Sequence, residues 1–520
     1  MKPCTFGRFG LFMALCFVGA CSGSGNSFPE PPRIESKNGI LHADLTASQE
    51  SLQVGGTPVS TRVYNKLFVP PTLVLNPGDT MLLHLNNDID QETNLHYHGM
   101  NVSPLSPGDD VFITVDIGGS FDYEVNVPSE HPEGLFYYHP HMHGLTEFQI
   151  GNGMSGALIV AGLLDPFPDL SGITEHLMVL KDIQIVDGKV PNPPVSAQPT
   201  LRTLNGAVNP RVSIQPGELQ LWRVANIGAD IYYDIQLEGH TLYEIARDGN
   251  LKNQLVPQNH ILLPTSARTE FLVRGGPPGE YAFATNPISM GPQGDTYPGV
   301  TLATMVSEGP EVPQIPLPQS FPEVPDLRSM PLCCSRTFDF SETPDGSQFC
   351  INNEQYDMES TNTTVQLGCV EEWTINNCAG ENHVFHIHQL DFQVVEQNGQ
   401  PVPFTGRQDT VNLDFRAADA GHPDRCQCDA SGNCQNCTCP TPADPQGSVK
   451  ILVPFTNPVI VGKFVYHCHI GEHEDNGMMQ NIEVSETAGA CEMGMPDSTM
   501  RDSQTPADRA VCNVSPMHMH

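Results

Sequence analysis

At 520 residues the chain has room for about three domains of roughly 150 residues, each able to bury its own core. It carries 60 Asp and Glu against 24 Lys and Arg, a formal charge of −36, which argues against nucleic acid as a partner. The 46 glycines and 47 prolines follow no short period, which excludes collagen and low-complexity tails and favours a turn-rich β protein.

Residues 1–21 read as an export signal: Lys2 and Arg8 precede an apolar stretch from Phe9 to Ala20 that is too short to span a bilayer. Val18-Gly19-Ala20-Cys21 is similar to a bacterial lipoprotein signal. Cys21 would then carry lipid at the head of a linker, 22–40, and the mature protein would be periplasmic or on the outer membrane, held to a membrane only by that anchor. Ordinary signal cleavage nearby is the alternative.

Three segments share a turn followed by an alternating strand that ends in Asn: 73–87, 212–226 and 364–377, with Asn86, Asn226 and Asn376 as the aligned residues. A second element recurs from Gly134, Gly279 and Gly462. Three copies of one β domain follow, placed at 41–165, 166–325 and 326–487. Ten and twelve residues beyond the repeat Asn stand His96 and His98, then His386 and His388, but Gln236 and Glu238 in the middle copy. Five and seven residues beyond the repeat Gly stand His139 and His141, then His467 and His469, but Ala284 and Asn286 in the middle. The outer copies therefore share a histidine site, and the middle copy reads as a spacer.

On a strand, residues i and i+2 face the same way, so each His-x-His pair can present two imidazoles to neighbouring metal ions. Imidazole suits copper, zinc and iron alike. The segment 467–478 narrows the choice. Cys468, His473 and Met478, with His383 upstream, form the two-His, one-Cys set with a weak axial Met of a blue-copper electron-transfer site. Because His467 and His469 flank Cys468, their side chains leave the opposite face of the strand and join the histidine cluster. His42, His84, His131, His176, His240, His260 and His422 read as surface or hydrogen-bonding residues instead.

Sixteen cysteines in an exported chain imply disulfides. Cys369 and Cys378 flank one strand whose nine residues span roughly 30 Å when extended, so they are expected to pair elsewhere. The segment 424–439 holds five cysteines, expected as disulfides, with thiolate binding of Cu(I) or zinc as the alternative. The tail, 488–520, includes Met493, Met495, Met500, Met517, His518, Met519 and His520, soft groups able to recruit copper, or incidental to a disordered terminus.

The segments LHYHGMN, YYHPHMHG, HVFHIHQ and HCHIGEHEDNGM closely resemble the signature motifs of the three-domain multicopper oxidases, the family of laccases, bilirubin oxidases and copper-efflux oxidases. The resemblance implies three cupredoxin-like Greek-key β-sandwiches and four copper ions with a complete ligand set. Type 1 copper would lie at His383, Cys468, His473 and Met478, and type 2 at His96 and His386. The type 3 pair would lie at His98, His139, His141, His388, His467 and His469. The family's usual Pro after the first His of the third motif is Val384 here, a change expected to be tolerated because the position is not a ligand. His143 extends the second motif without a counterpart in the third copy and is read as lying outside the ligand set.

The activity implied is one-electron oxidation of phenols or aromatic amines at the type 1 site, coupled to four-electron reduction of O2 to water, in a monomer. Cu(I) or another low-valent metal is the alternative reductant, and copper sequestration or electron transfer without turnover is a third reading. Glu474 resembles a proton-relay acid of the copper-efflux oxidases, and Asp109 is a second relay candidate.

Overall fold

The computed structural model of the chain describes residues 28–195, 199–430 and 434–487. The export signal, Cys21 and the Met/His tail lie outside them. Period-2 burial organises the strands: Ile40–Val54 opens with strictly alternating exposed and buried residues, one face on the core and one in water. Nearly everything described is strand, turn or loop, with short helices at Thr146–Asn152 (α1) and Gly471–Asp475 (α2).

The sheets fall into three two-layered sandwiches with matching order. In each, a long strand runs parallel to the strand that ends in the repeat Asn: Ile40–Val54 with Thr80–Asp88, Thr174–Gln184 with Leu219–Asn226, and Leu332–Glu342 with Cys369–Asn377. The opposing sheets share a second common order. It reads 72–75, 156–160, 134–139, 96–98 in the first copy, 211–214, 300–307, 279–285, 233–237 in the second, and 363–366, 479–485, 462–468, 383–387 in the third. Each sandwich encloses an apolar core, with Trp222 at the centre of the second and Trp373 of the third.

The Asn alignment shifts by one residue in the outer copies. Asn87 Nδ2 donates to the carbonyls of Val115 and Asp116 at 2.9 and 3.1 Å, Asn226 to those of Leu263 and Pro264, and Asn377 to those of Leu413 and Asp414. These three, rather than Asn86, Asn226 and Asn376, are the equivalent residues that pin the strand end to the facing loop. The following connection is one residue longer in the middle copy, so the next strands stay in register. His96 pairs with His139, His386 with His467, and Gln236 with Ala284.

Cys333 bonds Cys369 and Cys378 bonds Cys439, so the two cysteines flanking one strand do pair elsewhere. Cys426–Cys437 and Cys428–Cys434 complete the knot of 424–439, the disulfide state expected for that segment. Arg416 anchors the knot, donating to the carbonyl of Thr438 at 2.8 Å and to Asp444 Oδ2 at 2.8 Å; Arg425 also forks onto Asp444.

The hydrogen bond from Arg425 and the charge of Arg416 hold the Asp444 carboxyl down at about 2. A depressed carboxylate stabilises the fold above its unfolded pKa of about 3.9 and loses that contribution as pH falls through the folded value. Asp444→Asn is therefore expected to lower the thermal midpoint at pH 7, and the gap to the parent protein should close between about pH 4 and pH 2. Thermal unfolding followed across that range checks it.

Candidate metal centre

Eight histidines, 96, 98, 139, 141, 386, 388, 467 and 469, lie buried in the seam between the first and third sandwiches. Strand alternation supplies them two at a time, and the two sandwiches interleave their rings. His96 stacks on His388, and His98 on His386, each with centroids 3.8 Å apart. His467 Nε2 lies 3.3 Å from His141 Nε2 and 3.2 Å from His388 Nε2. Groups whose ligand atoms converge are His96, His98 and His139; His96, His386 and His388; and His141, His388 and His467.

The nitrogens are left in a state that fits a metal. His96, His139 and His386 each spend Nδ1 on a protein acceptor: Asp109, the carbonyl of Pro140 and the carbonyl of Asp409. Their Nε2 atoms, with Nδ1 of His98 and His388, are buried and have no hydrogen-bond partner. Each such orphan costs about 1–3 kcal/mol. Five in one cluster make sense as ligand atoms. Burial depresses His139 to about 3 and His141 to about 4, so these rings are neutral at pH 7, the form a metal binds.

The surrounding groups come from all three sandwiches. Arg268, in the middle one, grips Asp409 through two bonds of 2.7 and 2.6 Å. Asp409 in turn lies 3.3 Å from His98 Nε2 and receives His386 Nδ1 on its carbonyl. Thr265 donates to the carbonyl of His469 at 2.6 Å. The middle copy is thus a brace for the cluster, which corrects its reading as a spacer. Gly99 explains the glycine of LHYHG: its φ is +81°, and a Cβ there would lie 2.4 Å from both Arg268 and Asp409.

Both acids singled out in the sequence are fully buried at the cluster. Asp109 accepts from His96, and burial lifts it to about 8. Glu474 lies 3.5 Å from His141 Nε2 and 3.2 Å from His467 Nδ1. Burial works to raise Glu474, but those imidazoles outweigh it and hold it well below the ordinary value. Gln389 was not anticipated. It is buried, sits at φ +66°, and donates through Nε2 to Asp109 Oδ2 at 2.9 Å across the seam. Its only sequence signal was adjacency to His388.

A second site lies within the third sandwich. His383 Nδ1 and His473 Nδ1 are 3.0 Å apart, and Cys468 Sγ is 3.8 and 3.5 Å from them. Cys468 is the free cysteine among the described residues. Met478 is buried in the same core cluster, its N–H donating to the carbonyl of His473 and its carbonyl accepting from Cys468 N–H. Val384 N–H points at Cys468 Sγ at 3.4 Å. The position therefore touches the sulfur through its backbone N–H without being a ligand.

At the outer edge, His473 Nε2 meets Glu381 at 3.1 Å, and Phe349 stacks on the ring at 4.2 Å. Burial opposes the charge on Glu381, yet His473 outweighs it and brings the carboxyl down to about 2; burial pushes its neighbour Glu342 well up. The cystine knot sets this loop: a Cβ at Gly380 would lie 2.5 Å from Cys434 Sγ. Neither glutamate was anticipated, because no spacing rule ties either to the His motifs.

Family models described as multicopper oxidase match residues 46–163, 182–310 and 331–488. The chain is 26% identical over 479 residues to "Multicopper oxidase mco" of Staphylococcus haemolyticus, covering 88% of this chain and 92% of that protein. Among solved structures, a multicopper oxidase from Campylobacter jejuni titled a metallo-oxidase aligns with TM-score 0.70 at 22% identity, over 88% of this chain and 95% of that one. A laccase from Pediococcus acidilactici aligns with TM-score 0.73 at 23% identity, over 89% and 94%. These two likenesses show the fold.

Glycine suits the left-handed backbone of residue 389, so Gln389→Gly removes the amide clamp on Asp109 without adding strain. The thermal midpoint should hold, while metal retention at His96 and His386 weakens by about 10-fold or more. Metal content after graded chelator dialysis checks this.

Proposed function

Because the chain belongs to the multicopper oxidase family, a group of copper-dependent oxidoreductases, we propose that it couples one-electron oxidation of phenols or aromatic amines to the four-electron reduction of O2 to water. The observation that carries this reading is the continuity of Cys468, in the two-His, one-Cys site, with His467 and His469 in the eight-histidine cluster. One site takes electrons singly, and two residues of backbone deliver them to the other.

Four copper ions would fit the donor sets: type 1 held by His383, Cys468, His473 and Met478; type 2 by His96 and His386; and the type 3 pair by His98, His139, His141, His388, His467 and His469. Bound copper supplies the one-electron redox chemistry and the reduction of O2. The protein supplies the rest. The His473 edge lies within the third sandwich and the O2-reducing cluster in the seam beyond it, which keeps organic radicals away from the cluster. Glu474, between His141 and His467, and Asp109, on His96, serve as proton relays for the four protons that O2 reduction consumes.

Glu381 stands between His473 and solvent, where oxidation of a phenol releases a proton along with its electron. Its carboxylate, 3.1 Å from His473 Nε2, is placed to accept that proton. The same carboxylate and that of Glu342 favour a second reading, oxidation of a low-valent metal ion, since oxygen donors beside the electron-accepting ring suit a cation. The cystine bridges described above and the sequence of residues 1–21 support an exported chain.

Oxygen uptake by copper-loaded protein is expected with a phenolic substrate. Uptake chiefly with Cu(I) or Fe(II), after correction for spontaneous oxidation, would move the substrate to metal ions, and no uptake with a full copper complement would leave a copper-binding protein without turnover. Glu381→Gln should lower phenol turnover by about 100-fold with the type 1 absorption retained. Val384→Pro deletes the N–H that stabilises electron-rich sulfur in the reduced site, so the type 1 potential should fall by tens of millivolts, read by redox titration.

A further inference from the structure

A narrow cavity of about 10 Å³, the size of one small ion or water, opens beside the histidine cluster, with His141 in its wall. Three of its other lining residues are methionines, Met142, Met358 and Met479, and a fourth is His143. The methionines come from three separate stretches of chain. Met142 and His143 follow the cluster ligand His141, Met479 pairs across the sheet with the cluster ligand His467, and Met358 reaches in from a loop of the third sandwich. Met479 is buried at 1% exposure, whereas Met358 is 39% exposed, so the thioethers run from the surface inwards.

Apolar packing accounts for part of this lining. Val111, Val465 and Met479 form a small core cluster, and methionine often fills irregular gaps. Packing does not account for His143. Its ring lies edge-on to Tyr356 at 4.8 Å, and its Nδ1 is buried with no hydrogen-bond partner. A bare imidazole nitrogen in a cavity lined by three methionines offers a donor set for a soft monovalent cation; magnesium and calcium prefer oxygen donors, and zinc takes thiolate, imidazole or carboxylate rather than thioether.

We propose that Met142, Met358, Met479 and His143 form a binding site for a single Cu(I) ion, through which copper reaches the cluster at His141 and His467. The transfer needs no redox step: Cu(I) exchanges thioethers for imidazoles. The loading role rests on the reading of the cluster as copper sites; the binding site itself does not.

The test uses the full-length, copper-loaded protein and Ag(I), a soft ion without accessible redox chemistry under these conditions. Anomalous diffraction from silver-soaked crystals should place one Ag(I) in this cavity. Replacing the three methionines with leucine conserves volume and should abolish that peak, with the type 1 absorption unchanged. In a second arm, metal-free protein is reconstituted anaerobically with Cu(I), and the triple variant should fill the cluster about 10-fold more slowly than the parent while reaching the same final copper content. Silver absent from the cavity, or present there equally in the leucine variant, overturns the site. An abolished peak with an unchanged filling rate overturns the loading role. Failure of both parent and variant to take copper at the cluster would instead count against the multicopper reading.

Discussion

The structure depends on holding eight imidazoles together in a dry seam with five of their buried nitrogens bare. Neither outer sandwich can do this alone, because the stacked pairs His96–His388 and His98–His386 each take one ring from either side. The seam between domains is therefore itself the site. Without metal, every orphan nitrogen there is a cost of about 1–3 kcal/mol, so metal binding contributes directly to the stability of the assembled chain.

That arrangement explains the bracing around it. Arg268 and Asp409 are both buried, and a buried ion pair by itself is weak support for stability. Its use here is positional: the pair fixes His98 and His386 from the middle sandwich, while Thr265 holds the backbone at His469. With Gln236, Glu238, Ala284 and Asn286 where the outer copies carry histidines, the middle copy supplies these supports instead. Gln389 and Asp109 do the same across the outer seam, at the expense of one residue in the left-handed region.

At the two-His, one-Cys site the donor residues come from one sandwich, with Tyr232 of the middle one donating to the His383 carbonyl, and the variation lies in what surrounds them. The cystine knot crowds Gly380 beside Glu381, which meets His473, so a Cys-rich insertion shapes the outer edge of that site. Val384 adds an N–H to the sulfur. Neither changes the ligand set, yet each bears on which reductant can be oxidised and how readily.

The sequence by itself determined the strand-borne chemistry. Side chains alternate along a strand, so His-x-His and His-Cys-His fix which groups share a face, and repetition at matching offsets fixed the triplication, the eight-histidine set and the silent middle copy. It was one residue out at Asn86 and Asn376, because each strand ends in consecutive asparagines and only the hydrogen bonds to the facing loop distinguish them. The tertiary structure alone decided what Arg268, Asp409, Gln389, Glu381 and the cystine pairing do. Their partners lie in other sandwiches or far along the chain, and contacts formed by packing leave no period or spacing for a sequence to carry.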